Sequence, residues 1–222
     1  VAVVLGLAVF LVYRRGNTKK EVGELMKAAR SSAFKGNPAD LRTAAKSAED
    51  AVALDGTAGD ALALVASLYT DLWMIHRENG AEAKAKEFLD RAKKADSKTE
   101  ERYGSEALHL IAAGDPKGAE DFIEDLRKKG ASSAKLFYAQ ALAMKTRGNL
   151  SLARQGFTTA MDKAWKDANY AAAWGEAILE EGNAGAIDTF SKALGANPDL
   201  IRAKNGLALA RVMKKDKIGD AE

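Results

Sequence analysis

Small and bulky apolar residues recur along this chain at fixed distances from a set of glycines. Gly80, Gly114, Gly148 and Gly182 stand 34 residues apart. Five residues after the first three comes Ala85, Ala119 or Ala153, and four further on comes Leu89, Ile123 or Phe157. Three beyond that stands Ala92, Leu126 or Ala160. The fourth rung keeps the order but runs one residue short, with Ala186, Phe190, Ala193 and then Pro198. Apolar positions three and four apart mark one face of a helix, and a glycine between two such runs marks the turn. Each rung therefore predicts two helices joined by a tight turn, and a 34-residue period of such pairs predicts a helix–turn–helix solenoid.

The pattern before each glycine is also regular. It reads Tyr69, Leu72-Trp73 and His76 in one unit, then Tyr103, Glu106-Ala107 and Leu110. Phe137, Gln140-Ala141 and Met144 follow, and then Ala171, Trp174-Gly175 and Ile178. With the turn glycines, the alanines and Pro198, these residues resemble the tetratricopeptide repeat, in which small residues let paired helices approach and bulky ones fill the gap to the next helix. The resemblance implies an all-α solenoid, a right-handed superhelix of tetratricopeptide helix pairs, with four repeats over residues 56–200.

Outside the ladder the pattern is looser. Val22–Lys35 and Ala39–Leu54, separated by Gly36-Asn37-Pro38, read as a divergent first pair within residues 16–55. From Gly36 to Gly80 is 44 residues, ten more than the period, so the next helix is expected to be long, from about Thr57 to Glu78. Asn197-Pro198-Asp199 turns the chain into a last helix, Leu200–Lys214, and a partner helix is expected to begin at Gly219–Glu222. Residues 201–222 thus read as the start of a sixth, truncated repeat whose open apolar face needs a cap, a partner chain or further sequence.

Val1–Val12 is unbroken apolar sequence closed by Tyr13-Arg14-Arg15. Thirteen residues of helix rise only about 20 Å, against a hydrocarbon core of about 30 Å. Residues 1–15 are therefore expected to be the C-terminal part of a transmembrane helix, Tyr13 and the two arginines marking the interface. A secretory h-region lacks a following cleavage site, and a buried core helix would show a polar face. On this reading the protein sits in the inner (plasma) membrane as a single-pass protein, held by its N-terminal helix. The basic flank favours cytoplasmic repeats, whereas likeness to anchored bacterial tetratricopeptide proteins favours periplasmic ones, the side preferred.

Composition narrows the chemistry. The net charge of +3 is carried by Arg14, Arg15, Lys19 and Lys20, and the rest of the chain is close to neutral, which argues against a nucleic-acid partner. The 222 residues include no cysteine and two histidines, His76 and His109, neither in metal-ligand spacing. Ser31-Ser32 and Ser132-Ser133 read as helix boundaries, and no glycine-rich phosphate loop follows a strand pattern. No catalytic residue, cofactor or metal is expected. Trp73 and Trp174 fall at close-packed places, while Trp165 takes a loop place.

The resemblance also implies a concave groove lined by the first helix of each pair. Carried onto this chain, its contact places hold Asp71, Met74 and Arg77, then Leu108 and Ile111. Further along they hold Lys135, Tyr138, Leu142 and Lys145, and then Asn169 and Glu176. The places of the Lys/Asn/Asn/Lys/Arg clamp that grips chaperone carboxylates hold Thr70, Met74, Ser105, Lys135 and Ala139, a single match, so that mode is rejected. What the resemblance implies instead is a non-enzymatic scaffold whose groove takes a peptide or amphipathic helix of a protein partner. Its setting would be a bacterial envelope assembly serving translocation, secretion or motility. The alternatives are a self-assembling structural subunit of a larger complex and an accessory domain of a longer protein.

Overall fold

The computed structural model describes residues 2–183 and 185–219, with side-chain surroundings for 16–183 and 185–215. Among the described residues there are eleven α-helices and no strand. They are α1 (Ala2–Ala33), α2 (Pro38–Leu54), α3 (Gly59–Met74), α4 (Ala81–Lys94), α5 (Glu100–Ala112) and α6 (Pro116–Lys128). Then come α7 (Ala134–Thr146), α8 (Leu150–Lys163), α9 (Ala168–Glu180), α10 (Ala186–Ala196) and α11 (Ile201–Gly219).

Three rungs of the glycine ladder, Gly114, Gly148 and Gly182, are helix stops, while Gly80 stands at the start of α4. Gly114 has φ +83°, its N–H bonds the Ile111 carbonyl at 3.0 Å, and the Asp115 N–H reaches back to Leu110 at 2.9 Å. Gly148 and Gly182 repeat both bonds with φ +79° and +68°. This left-handed closure uses up the last carbonyls of the helix, and a side chain would strain it. The next helix starts at once. Asp115 accepts the Gly118 N–H at 2.8 Å with Pro116 in the first turn of α6, and Ser133 accepts the Leu136 N–H at 3.2 Å to open α7.

The chain divides into two compact units. The first takes in α1 up to Ala33, then Pro38 through Arg102. Its core joins Val22, Met26 and Ala29 of α1 to Leu41, Ala44, Ala45, Ala48 and Val52 of α2. Leu62, Leu64, Val65, Leu68 and Leu72 of α3 and Phe88 and Leu89 of α4 complete it. The alanine face of α2 brings backbones close, so the bulk comes from α3, which is buried almost all round. A polar tie crosses three helices: Tyr69 donates to Glu49 at 2.9 Å, and Lys84 donates to Tyr69 at 2.8 Å and to Glu49 at 3.1 Å.

The second unit holds Phe34–Asn37 and everything from Tyr103. Its paired helices close over small residues: a Cβ on Gly156 of α8 would lie 2.9 Å from the Ala141 Cβ of α7. Phe190 of α10 is wholly buried between two glycines. A Cβ on Gly175 of α9 would stand 2.8 Å from its ring, and one on Gly206 of α11 only 2.2 Å. Asn37 accepts the Ile201 N–H at 3.0 Å, capping α11 from the Phe34–Asn37 segment.

Three expectations are corrected. First, α3 is 16 residues, Gly59–Met74; it extends at its start but stops early, Arg77 turning left-handed at φ +54° with its N–H on Trp73 at 3.0 Å. Second, α11 runs to Gly219; residues 220–222 of the anticipated partner-helix start lie outside the described residues.

Third, the membrane reading fails. The apolar start does not end at Arg14-Arg15: α1 continues through Lys19, Lys20 and Glu21 to Ala33, and Gly16–Lys20, expected as a link, is helical. Gly16, Asn17 and Thr18 are weak helix formers, yet no proline breaks the run, and the Lys, Glu, Leu, Met and Ala residues that follow favour helix, so α1 carries through them. No helix among the described residues is long and apolar enough to cross a membrane. This overturns the placement as a single-pass inner-membrane protein with periplasmic repeats. The side chains of residues 1–15 lie outside the described residues.

Candidate functional site

The anticipated contact residues fall in both units. In the first, Asp71 and Met74 are half-buried in the last turn of α3. Arg77 is exposed but sits in the turn after α3, off the helix face where the repeat pattern sets it. Thr70 is wholly buried, its hydroxyl donating to the Ala66 carbonyl at 2.7 Å.

In the second unit the residues part into three groups. Leu108 and Tyr138 are core: Leu108 is buried, and the Tyr138 ring lies 6.1 Å from Phe157 and 5.8 Å from Tyr170. Lys145, Glu176 and Asn169 are engaged within the chain. Lys145 of α7 pairs with Glu180 of α9. Glu176 of α9 accepts Arg202 Nε of α11 at 2.9 Å and pairs with its second nitrogen. Asn169 bonds Asp167 through its backbone N–H at 3.0 Å and its side-chain amide at 2.8 Å.

Ile111 and Leu142 remain, half-buried on α5 and α7, with Lys135, whose stem lies so near Gly104 that a Cβ there would meet Lys135 Cγ at 2.6 Å. Leu179 of α9 is half-buried in the place equivalent to Ile111. These side chains leave apolar surface in reach of a partner while ion pairs tie α7 to α9 and α9 to α11.

Arg202 and Tyr170 were not foreseen as neighbours of this surface. A signal existed for the ion pairs: Lys145 and Glu180 are 35 residues apart, one repeat plus one place, with opposite charge. Of the tryptophans, Trp174 is buried, Trp73 is half-buried against its unit's core, and Trp165 is 70 % exposed with Lys166 over its ring.

A shallow cleft of about 590 Å³ opens between α6 and α7, lined by Lys117, Glu120, Asp121, Glu124, Gln140 and Met144 among others. Its charges are answered within the chain. Lys117 pairs with Asp121, whose carboxylate raises the ammonium pKa through their hydrogen bond, and Arg147 pairs with Glu120. Arg127 lies 4.9 Å over the Phe137 ring and donates to Gln140 at 3.3 Å.

The fold places this chain among all-α proteins built of repeated helix pairs, and in sequence pattern and helix-pair build it resembles tetratricopeptide repeat proteins. One similar solved structure is YrrB, described as a tetratricopeptide protein with an unusual peptide-binding site. It has a TM-score of 0.43 and 16% identity over 85% of this chain and 96% of that one. A structure of MamA gives 0.42 and 17% identity over 81% of this chain and 93% of that one. The Cut9–Hcn1 hetero-tetramer of the APC/C gives 0.49 and 15% identity over 86% of this chain and 46% of that one. At such identities the likeness concerns the fold alone. No family model and no curated protein sequence matches the chain.

Proposed function

We propose that this protein is a non-catalytic scaffold that binds an extended or helical segment of a protein partner along the first-helix faces of α5 and α7. The observation that carries this reading is the pair of half-buried apolar residues Ile111 and Leu142, on helices of the second unit held in place by their neighbours. Partial burial fixes the side chains in advance, so less entropy is lost when a partner covers them. Lys135, on the same helix as Leu142, adds a cation for an acidic or carbonyl-rich segment. Asp71 and Met74 form a separate face on the first unit and are proposed as a secondary contact.

The test is site-specific photo-crosslinking in cells of origin. A crosslinker at Leu142 should capture a discrete protein adduct that Ile111→Glu abolishes, while one at Asp121, on the exposed face of α6, should not. Equal adducts from both positions, or adducts indifferent to Ile111→Glu, would refute the reading.

A further inference from the structure

Two successive inter-helix connections of the second unit carry cations at matching places. Lys129 and Lys163 stand 34 residues apart, one repeat period, at the ends of the second helices α6 and α8. The two helix ends meet on one ring. The Arg127 guanidinium lies 4.9 Å from the centroid of Phe137, half-buried on α7, and the Lys163 ammonium lies 5.4 Å from it. Two residues on, Trp165 is 70 % exposed, the most open large apolar side chain among the described residues, with Lys166 5.0 Å over its ring.

Cations in the last turn of a helix offset its macrodipole, which accounts for Arg127 and Lys128 on α6 and for Lys163 on α8. That role does not extend to Trp165 and Lys166, which lie beyond the end of α8, or to two cations over one ring. These charges also lack an answer within the chain. Lys128 pairs with Glu124 and Asp125, but among the described residues no carboxylate pairs with Arg127, Lys129, Lys163 or Lys166. Of the nearby acids, Asp167 is taken up capping α9, and Asp162 is exposed on α8. Like charges gathered without a counter-charge repel, and an anion docked among them relieves the repulsion.

Charge and the open ring together select the occupant. An exposed indole beside cations offers apolar area to one side chain and charge to its neighbours, and tryptophan and arginine are the residues that protein interfaces favour. A second copy has little to offer, because the acidic face of α6 is already answered, Asp121 by Lys117 and both Glu124 and Asp125 by Lys128. A bilayer would meet a single tryptophan, the other residues of the two connections being Lys, Gly, Ala, Ser and Asp. We infer that the α6–α7 and α8–α9 connections form a docking surface for an acidic, extended segment of a partner protein. An aromatic or aliphatic side chain of that segment lies on Trp165, and its flanking carboxylates meet Arg127, Lys129, Lys163 and Lys166. This surface is independent of the face that carries Ile111 and Leu142.

The probe is a fluorescein-labelled peptide of about 12 residues, Glu and Gly around one central Phe, beside one copy with Lys for Glu and another with Ala for Phe. By fluorescence anisotropy on the full chain, the Glu peptide should bind at least about ten-fold more tightly than the Lys copy, with affinity falling as salt rises. It should also bind at least about three-fold more tightly than the Ala copy, a preference that Trp165→Ala erases. Lys163→Glu should weaken binding about ten-fold, whereas Lys192→Glu, the same charge change at an exposed place on α10, should weaken it less than about two-fold. Ile111→Glu should leave binding intact. Equal binding of the Glu and Lys peptides, equal losses from Lys163→Glu and Lys192→Glu, or a Phe preference that survives Trp165→Ala overturns the proposal. So does co-sedimentation with phosphatidylglycerol vesicles that Trp165→Ala abolishes, since a lipid surface is then the occupant. A dimer in analytical sedimentation that Lys163→Glu dissociates overturns it too, a second copy then being the occupant.

Discussion

Phe190 and the two glycines that enclose it make a sharp test of the packing. Replacing Gly206 by Ala in the middle of α11 should by helix propensity alone stabilise the chain by about 1 kcal/mol. The structure says otherwise. The new Cβ would stand 2.2 Å from Cζ of Phe190 and 2.4 Å from Cε1, and the ring is wholly buried with Gly175 also close to Cε1. Overpacking of this kind costs about 1–3 kcal/mol, so Gly206→Ala should be destabilising by about 1 kcal/mol net. Phe190→Leu removes the ring tip and leaves a small void, costing about 1.5 kcal/mol by itself. In that background Gly206→Ala fills the space and becomes neutral or stabilising. The double-mutant cycle should therefore show coupling of about 1–2 kcal/mol in favour of the pair. The assay is urea unfolding followed by far-UV circular dichroism, with amide hydrogen exchange over α10 and α11 as a local readout, because repeat arrays can unfold in parts. If Gly206→Ala costs the same in both backgrounds to within about 0.5 kcal/mol, the ring is not held as described and the reasoning fails.

Other expectations are as direct. Gly148→Ala should cost about 1 kcal/mol, for its φ of +79° is left-handed and the space around it is open; Gly195→Ala, in open space on α10, should gain about 0.5–1 kcal/mol. Melting temperatures of opposite sign check the pair. Glu176→Gln leaves the Arg202 guanidinium, 11 % exposed, without its carboxylate and should cost about 1.5–3 kcal/mol in urea unfolding. Burial pushes the Tyr69 phenol above its ordinary value of 10.0, with Lys84 opposing and Glu49 adding, and the bond to the phenol raises Lys84. Both groups favour their protonated forms in the folded chain. Their contribution is therefore complete below about pH 10 and is lost as pH rises through the folded values. Tyr69→Phe should flatten the fall of the urea midpoint above pH 10, and an unchanged slope would remove the tie's role.

Much of the architecture was written in local order. A glycine that must be left-handed, an Asp or Ser that caps the next helix and apolar residues at helical spacing each act within a few residues, so helix pairs at Gly114, Gly148 and Gly182 could be read directly. The 34-residue recurrence of those signals implied an array because one pair cannot bury its own apolar face. The start of the chain misled for a related reason: hydropathy marks where apolar residues stop, whereas a helix can carry through a short weak stretch such as Gly16-Asn17-Thr18 when no proline breaks it and the residues beyond favour helix, as those from Lys19 do. The site was legible only as a set of places. Whether Tyr138 is contact or core, whether Lys145 meets a partner or Glu180, and whether Arg77 lies on a helix or in the turn beyond it depend on neighbours from other helices. Arg202 against Glu176 and Phe190 against Gly175 and Gly206 arise only when residues 15 to 26 apart meet. Secondary structure follows short-range backbone and propensity terms carried by the sequence itself; burial and pairing are properties of the packed array, and it alone decided which side chains stayed at the surface.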